Sequence, residues 1–353
     1  MSVEPVVVVG VGMMTAVGLT AAETAASVRS ATSRFNESAL HDARFDPFTL
    51  AEVPEDGLPE VAEGLDDAVG LTARELRMLR LATMPLRECL TPISGAAMRP
   101  GLCIALPETE TTTPLGRAAF VRHLAVQVPG AFEPRAADAS HVGRAGGLIA
   151  VGQAVSTIQS GRSEFMIAGA VDTYRDLYVL GTLDLEQRVK SDAAWDGFIP
   201  GEGAAFLLLA SAIAARARGL TPLARVTPVA VGFEPGHLYS EEPYRGDGLA
   251  ATLQQLVAQG AVEAPIVEVY SSMTGEGHWA KEWGVGYVRN KDAFQPVYRM
   301  HHPADCYGET GAACGPLMVA LAAIGIAGGY RRSPSLIYGS SDRGGRAALI
   351  VSA

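Results

Sequence analysis

Cysteine, histidine, serine and arginine supply the side chains whose placement in this sequence could carry chemistry. The four cysteines, Cys89, Cys103, Cys306 and Cys314, form no C-x-x-C pair. Cys103 falls in an apolar strand and Cys314 in an apolar helix, so they read as buried free thiols of a reducing compartment. Cys306 stands just before the Gly308 turn. It reads as another packed thiol, the alternative being a displaced nucleophile. Ser140 and His141 are adjacent, a spacing that does not aim one side chain at the other, and there is no G-x-S-x-G elbow. The seven histidines include no H-E-x-x-H, and His301-His302 read as loop residues, so no metal is expected. Gly10-x-Gly12 follows a strand, as in a dinucleotide site. Thr15 stands where the third glycine is required, so no cofactor is expected either.

These side chains need elements to hold them, and one stretch organises the rest. Ala145 to Ser160 reads as a buried helix of small residues, with Gly147, Ala150, Val151, Ala154 and Ile158 on one face. Glycines inside a helix each cost roughly 1 kcal/mol relative to alanine, so this helix implies close backbone approach. Ser160-Gly161-Arg162 ends it, and Phe165 to Ala168 is a strand. Upstream, Val6 to Val9 is a strand. Thr20-Ala-Ala-Glu23 is a capping box for a helix reaching about Ser30, and residues 32 to 68 read as an irregular surface excursion. Thr72-Ala-Arg-Glu75 caps a second helix with Leu76, Leu79, Thr83, Leu86 and Leu90 on one face and a kink at Pro85. Gly101 to Leu106 is a strand and Pro114 to Val126 a helix. Downstream, Gly201-Glu202-Gly203 opens a core strand reaching Leu209, with Glu202 a structural acceptor of backbone N–H bonds. Ala224 to Val231 is a strand that Pro228 marks as an edge or a bulge. Gly248 to Ala258 is a helix, Ile266 to Val269 a strand, and Gly308 to Ile326 a long buried helix. Leu336 to Tyr338 and Ala347 to Val351 are closing strands. Alternating strands and helices imply parallel sheets covered by helices.

The Gly-rich helix, its Ser-Gly-Arg break and the Met166-Ile-Ala-Gly169 strand resemble the nucleophile helix of the β-ketoacyl synthases. So does Asp196-Gly-Phe-Ile-Pro-Gly-Glu-Gly203, together with the N-terminal strand and Met-Met-Thr-Ala-Val-Gly turn. The resemblance covers nearly the whole chain. It implies a thiolase-like five-layer αβαβα fold of two duplicated halves, residues 1–211 and 212–353. It also implies the positions of the family's Cys-His-His triad. In this register Arg144 replaces the cysteine, Tyr270 the first histidine and Glu309 the second. Ala304 takes the place of a lysine and Arg343 that of an aromatic gate. Arg144 carries no nucleophilic lone pair and stays protonated; Tyr270 cannot act as a histidine near neutral pH. Arg144, Tyr270, Thr274, Glu309, Thr310 and Arg343 are the expected pocket. In it Arg144 and Glu309 form a buried ion pair, with Tyr270 adding a hydrogen bond.

The expectation is a ketosynthase-like protein that has lost condensing chemistry and serves as a binding or partner subunit in fatty acid or polyketide biosynthesis. The alternative is a 3-oxoacyl-[acyl-carrier-protein] synthase, or related acyltransferase, with a rebuilt site. The resemblance implies a homodimer, or a heterodimer with an active ketosynthase. Arg331-Arg332 read as a solvated helix end, or else as a patch for an acidic acyl carrier protein. The net charge of −10 argues against nonspecific nucleic-acid binding. The longest apolar run, Leu317 to Ala327, is too short for a membrane span, and no leader segment is read before Val6. A cytoplasmic location is expected.

Overall fold

The computed structural model describes residues 4–65, 70–96, 98–108 and 116–353. The first part of the chain runs β1 (Val6–Thr15), α1 (Ala21–Arg29), β2 (Asn36–His41), β3 (Pro47–Leu50), α2 (Ala73–Cys89), β4 (Gly101–Ala105), α3 (Arg117–Gln127), β5 (Ala137–Ser140), α4 (Gly146–Gln159), β6 (Phe165–Thr173), α5 (Leu177–Leu185) and β7 (Glu202–Ser211). The second runs α6 (Ala212–Ala217), β8 (Ala224–Val226), β9 (Ala230–Phe233), α7 (Asp247–Ala258), β10 (Ile266–Ser271), α8 (Gly277–Asn290), β11 (Phe294–His301), α9 (Ala304–Tyr307), α10 (Cys314–Ala327), β12 (Ser335–Ser340) and β13 (Gly345–Ser352).

One pattern of strand pairing occurs twice. Strand β4 lies parallel between β5 and β6, and β7 and β1 follow antiparallel. Strand β10 lies parallel between β11 and β12, and β13 follows antiparallel, with β8 and β9 antiparallel to it. The two patterns join where β1 pairs with β8. Three apolar cores alternate with them. Helices α2 and α3 pack Leu79 and Phe120 over β7, whose Phe206 faces them. Helices α4 and α10 share a central core through Val151, Leu148 and Leu317. Leu249 of α7 and Trp283 of α8 cover β10 and β12 on the far side. The layers run helix, strand, helix, strand, helix, which is the thiolase-like αβαβα fold.

The two central helices meet backbone to backbone, which explains their glycines. A Cβ on Gly147 would lie 2.3 Å from Pro316 Cδ and 2.5 Å from the Ala312 carbonyl. The G-x-G near the N-terminus has the same cause: Cβ atoms on Gly10 and Gly12 would collide with carbonyls of Cys89 and Pro85 in α2. Thr72 forms the full capping box with Glu75. Thr20 forms one arm only, because the Glu23 carboxylate accepts instead from the amide of Leu19.

Four local expectations are corrected. Residues 36–50 contain the β2–β3 hairpin, so the segment is not irregular throughout; it lies at the surface with Ser38, Phe48 and Leu50 turned inward. The strand expected over Ala224 to Val231 is split into β8 and β9 around Pro228, which has no N–H for a ladder. The long helix begins at Cys314 rather than Gly308, because Gly308 and Gly311 have φ of 70° and 52° and break the helical path. Helices α5 and α8 and strand β11 occupy stretches to which the sequence pattern assigned no element. Of the helix expected from Pro114, Pro114 itself lies outside the described residues and α3 starts at Arg117. Among the described residues, no helix is long and apolar enough to cross a membrane.

Candidate functional site

Arg144 stands in a single 3-10 turn, Gly143–Ala145, that leads into α4. Gly143 has φ 58°, a left-handed conformation that favours glycine. The turn drives the arginine inward, and it is 3% exposed. Its Nη2 donates to Oδ1 of Asp342, and its Nη1 lies 3.6 Å from Oε2 of Glu309 without a hydrogen bond. The guanidinium lies 4.3 Å over the ring of Trp279. The buried ion pair expected between Arg144 and Glu309 is therefore present, with Asp342 as the closer carboxylate.

The network extends through a second buried arginine. Arg188 Nη1 donates to Asp342 Oδ2 at 2.7 Å, and its Nε donates to Glu276 Oε1 at 2.8 Å. Glu276 also accepts from Thr274 Oγ1 at 3.1 Å and from Trp279 Nε1 at 2.8 Å. Burial opposes the charge of Arg144, but the Glu309, Tyr174 and Glu276 groups outweigh it and raise its pKa. Burial pushes the Glu309 carboxyl up to about 7, against the pull of Arg144 and of the Gly311 amide that it accepts. Glu276 shows the opposite result: burial raises it, but hydrogen bonds and charge from Arg188 hold it below the ordinary carboxylate range.

Tyr270 does not join this site. Side chains alternate across β10, and Tyr270 is buried against His301, with ring centroids 4.5 Å apart. It lines a separate cavity of about 200 Å³ with His302, Cys306 and Arg331. The loop after β10 and the first turn of α8 supply the partners that the strand does not: Thr274, Glu276 and Trp279. His301 is corrected from a loop residue, whereas His302 lies in the loop after β11. His301 ends β11 with its Nε2 paired to Glu268, and His302 Nδ1 lies 2.9 Å from Ser271 Oγ.

Thr310 is buried, with an Oγ1 that meets no partner. Arg343 lies 4.5 Å over the Tyr239 ring. Arg343 lines the cavity beside Arg144, Thr310 follows Glu309 in the chain, and Ala304 opens α9. Cys314 Sγ reaches the Arg144 carbonyl at 3.6 Å, but burial raises its thiol well above the ordinary range. Cys306 is 5% exposed and is raised by burial and by Asp305. Burial likewise pushes Cys103 up to about 12 and raises Cys89, so none of the four is poised as a thiolate. Glu202 has the expected structural role: it accepts from the Val53 amide at 2.7 Å, from Thr173 Oγ1 at 2.7 Å and from two nitrogens of Arg77. Among the described residues, no group of three His, Cys, Asp or Glu is placed to hold a metal ion.

Beside Arg144 is a cavity of about 120 Å³, lined also by Arg74, Asp172, Tyr174, Tyr178 and Arg343. Sequence reasoning missed Asp342, Trp279, Arg188, Glu276 and Arg74. The one signal available was Asp342, a carboxylate beside Arg343 in an otherwise small-residue loop.

Comparison with known proteins bears on the fold. Residues 142–215 match the family model described as the N-terminal domain of beta-ketoacyl synthase. No curated protein matches the chain significantly. Among solved structures, the chain is similar to the ishigamide ketosynthase/chain length factor, with 18% identity, TM-score 0.75 and 99% of each chain covered. It is similar to a structure of a type II PKS acyl-carrier protein in complex with its ketosynthase, with 16% identity, TM-score 0.74 and 100% of each chain covered. It is also similar to the ketosynthase from module 6 of the bacillaene synthase from Bacillus subtilis 168. There the identity is 12% and the TM-score 0.78, over 98% of this chain and 72% of that one. The chain thus carries a β-ketoacyl synthase sequence signature over residues 142–215 and the ketosynthase fold over its whole length.

Proposed function

We propose that the protein is a ketosynthase-like subunit without condensing chemistry, acting by noncovalent binding and by pairing with another subunit. One observation carries this reading. The position at the head of the central helix, where the family resemblance calls for a thiolate, holds a guanidinium buried between Asp342, Glu309 and the Trp279 ring. A protonated guanidinium forms no acyl thioester, and its hydrogen bond to Asp342 holds it in place. The neighbouring thiols Cys314 and Cys306 are both raised above the ordinary thiol range, which opposes acylation there as well. The similarity to a ketosynthase/chain length factor structure supports a partner role in a polyketide or fatty acid pathway. The partner would be a second copy or an active ketosynthase, with an acyl carrier protein as a further contact.

The test is intact mass after incubation with acyl-CoA and with acylated carrier protein. The unmodified mass is expected throughout. A covalent acyl adduct, lost on Cys306→Ser or Cys314→Ser, would overturn this reading in favour of an acyltransferase with a rebuilt site.

A further inference from the structure

Two arginines that line the cavity beside α4, Arg74 and Arg144, each carry a terminal nitrogen without a hydrogen-bond acceptor. Arg74 is 6% exposed and Arg144 3% exposed, and both line the cavity. Arg74 is otherwise well held: its Nε donates to the Thr173 carbonyl at 2.8 Å and its Nη2 to Asp172 Oδ1 at 3.0 Å. Its Nη1 has no acceptor, and neither has Nη1 of Arg144. A buried N–H of a charged group without an acceptor is costly, more so than that of a neutral group. Two such nitrogens on arginines that line one cavity call for an occupant that brings acceptor atoms.

Charge decides what kind of acceptor. Three arginines line the cavity, Arg74, Arg144 and Arg343, against four carboxylates, Glu108, Asp172, Glu186 and Asp342. Glu309 stands behind Arg144 as a further acid. The wall therefore has no net positive charge to offset the desolvation of an anion. An uncharged carbonyl oxygen accepts the same N–H groups without that cost, and its two lone pairs allow one bond from each arginine. Size sets the other limit. A water occupies about 30 Å³ of liquid volume, so 120 Å³ holds about four waters or an organic molecule of about five heavy atoms.

We propose that this cavity binds a small uncharged molecule, or the tip of a longer one entering past Tyr178, through a carbonyl oxygen received by Nη1 of Arg74 and Nη1 of Arg144. This rests on the reading of the site as noncovalent. The intact-mass experiment tests that reading separately, so failure of the one is not failure of the other.

The probes are 2-butanone, its apolar isostere 2-methyl-1-butene, and propionate as an anion of the same size. The readout is the set of side-chain guanidinium resonances in protein labelled with nitrogen-15 arginine. 2-Butanone is expected to shift two guanidinium resonances saturably, with little change from the alkene or from propionate. Thr182 lines the cavity from α5 and is partly exposed. Thr182→Met fills the space without altering any charge and is expected to abolish the shift while leaving the melting temperature near that of the parent. If propionate binds more tightly than 2-butanone, the site is an anion site and the proposal fails. It fails equally if neither ketone nor acid moves a guanidinium resonance, or if Thr182→Met leaves the 2-butanone shift intact.

Discussion

Asp342 accepts from both Arg144 and Arg188, whereas Glu309 lies 3.6 Å from Arg144 with no hydrogen bond to it. The two acids therefore differ in what their loss would cost. Removing one partner of a hydrogen-bonded buried pair typically costs about 3–5 kcal/mol, and Asp342→Asn removes the charge shared by Arg144 and Arg188, although Arg188 keeps its two bonds to Glu276. Glu309→Gln should be much milder near pH 7, because the Glu309 carboxyl is already raised from its ordinary 4.5 to about 7. That raised value has a definite sign. Between about pH 4.5 and 7 the folded state keeps a proton on Glu309 that the unfolded state has released. The contribution of Glu309 to stability is thus complete below about pH 4.5 and is lost as the pH rises to about 7. Urea titrations from pH 4.5 to 8 should show parent stability falling relative to Glu309→Gln over that window, and Asp342→Asn the weakest of the three at pH 7. Parallel pH profiles for the parent and Glu309→Gln would count against a proton on Glu309. The sequence made Arg144 and Glu309 legible because each heads a small-residue helix. It did not reveal Asp342, which is 198 residues from Arg144 and brought near only by the fold. Tyr270 was misplaced because a strand alternates its faces, so a short error of register sends a side chain to the wrong layer.

Helices α4 and α10 are built alike. Each has 14 residues, and each follows a single 3-10 turn whose first residue is a left-handed glycine, Gly143 with φ 58° and Gly311 with φ 52°. They cross with Gly147 against Pro316 and Gly315 against Leu148. Gly147→Ala would place a methyl 2.5 Å from the Ala312 carbonyl, and neither backbone has room to withdraw from the centre of the molecule. Overpacking a core typically costs about 1–3 kcal/mol, and a clash against backbone should reach the upper end. Gly161→Ala is a fair contrast: a methyl there would meet nothing within 4 Å, although the φ of Gly161 is 73°. Chemical denaturation should rank Gly147→Ala well below Gly161→Ala, and equal midpoints would remove the close-packing account. Helix α4 was readable because its glycines and apolar residues share one face. Helix α8 was not, since Gly277, Gly284 and Gly286 punctuate its sequence. It forms because Trp279 and Trp283 are buried at helical spacing, a tertiary gain that outweighs weak local propensity.

Across the whole molecule the sheet ends at β5, which pairs only with β4 among the described strands. Beside it lies an open cavity of about 910 Å³ lined by Ile149, Val229 and Val231. An unpaired edge next to apolar side chains invites a second chain, and the proposed pairing would use this face of α4. Light scattering at micromolar concentration should give about twice 36.9 kDa for a homodimer, the expected burial being above about 2,000 Å². A monomer mass that shifts only on adding an active ketosynthase would point to the heterodimer. The alternation of strands and helices was legible in the sequence well before any residue role was. The repeated pairing pattern was not, because it is a property of neighbours in space and the two parts share no obvious sequence identity.

The charges linked through Asp342 divide by position in the chain. The cations Arg144 and Arg188 precede residue 212; the three buried acids they face, Glu276, Glu309 and Asp342, follow it, while Arg346, also beside the Trp279 ring, pairs with Glu282 within its own part. Each part thus carries the counter-ions of the other. Cut apart, the first would expose an uncompensated positive patch and the second a negative one, each on a surface shaped for burial. The division makes the two parts chemically dependent: a charge-reversing change on either side is tolerated only with its opposite on the other. The ionic centre thereby ties the sequence of one part to that of its counterpart.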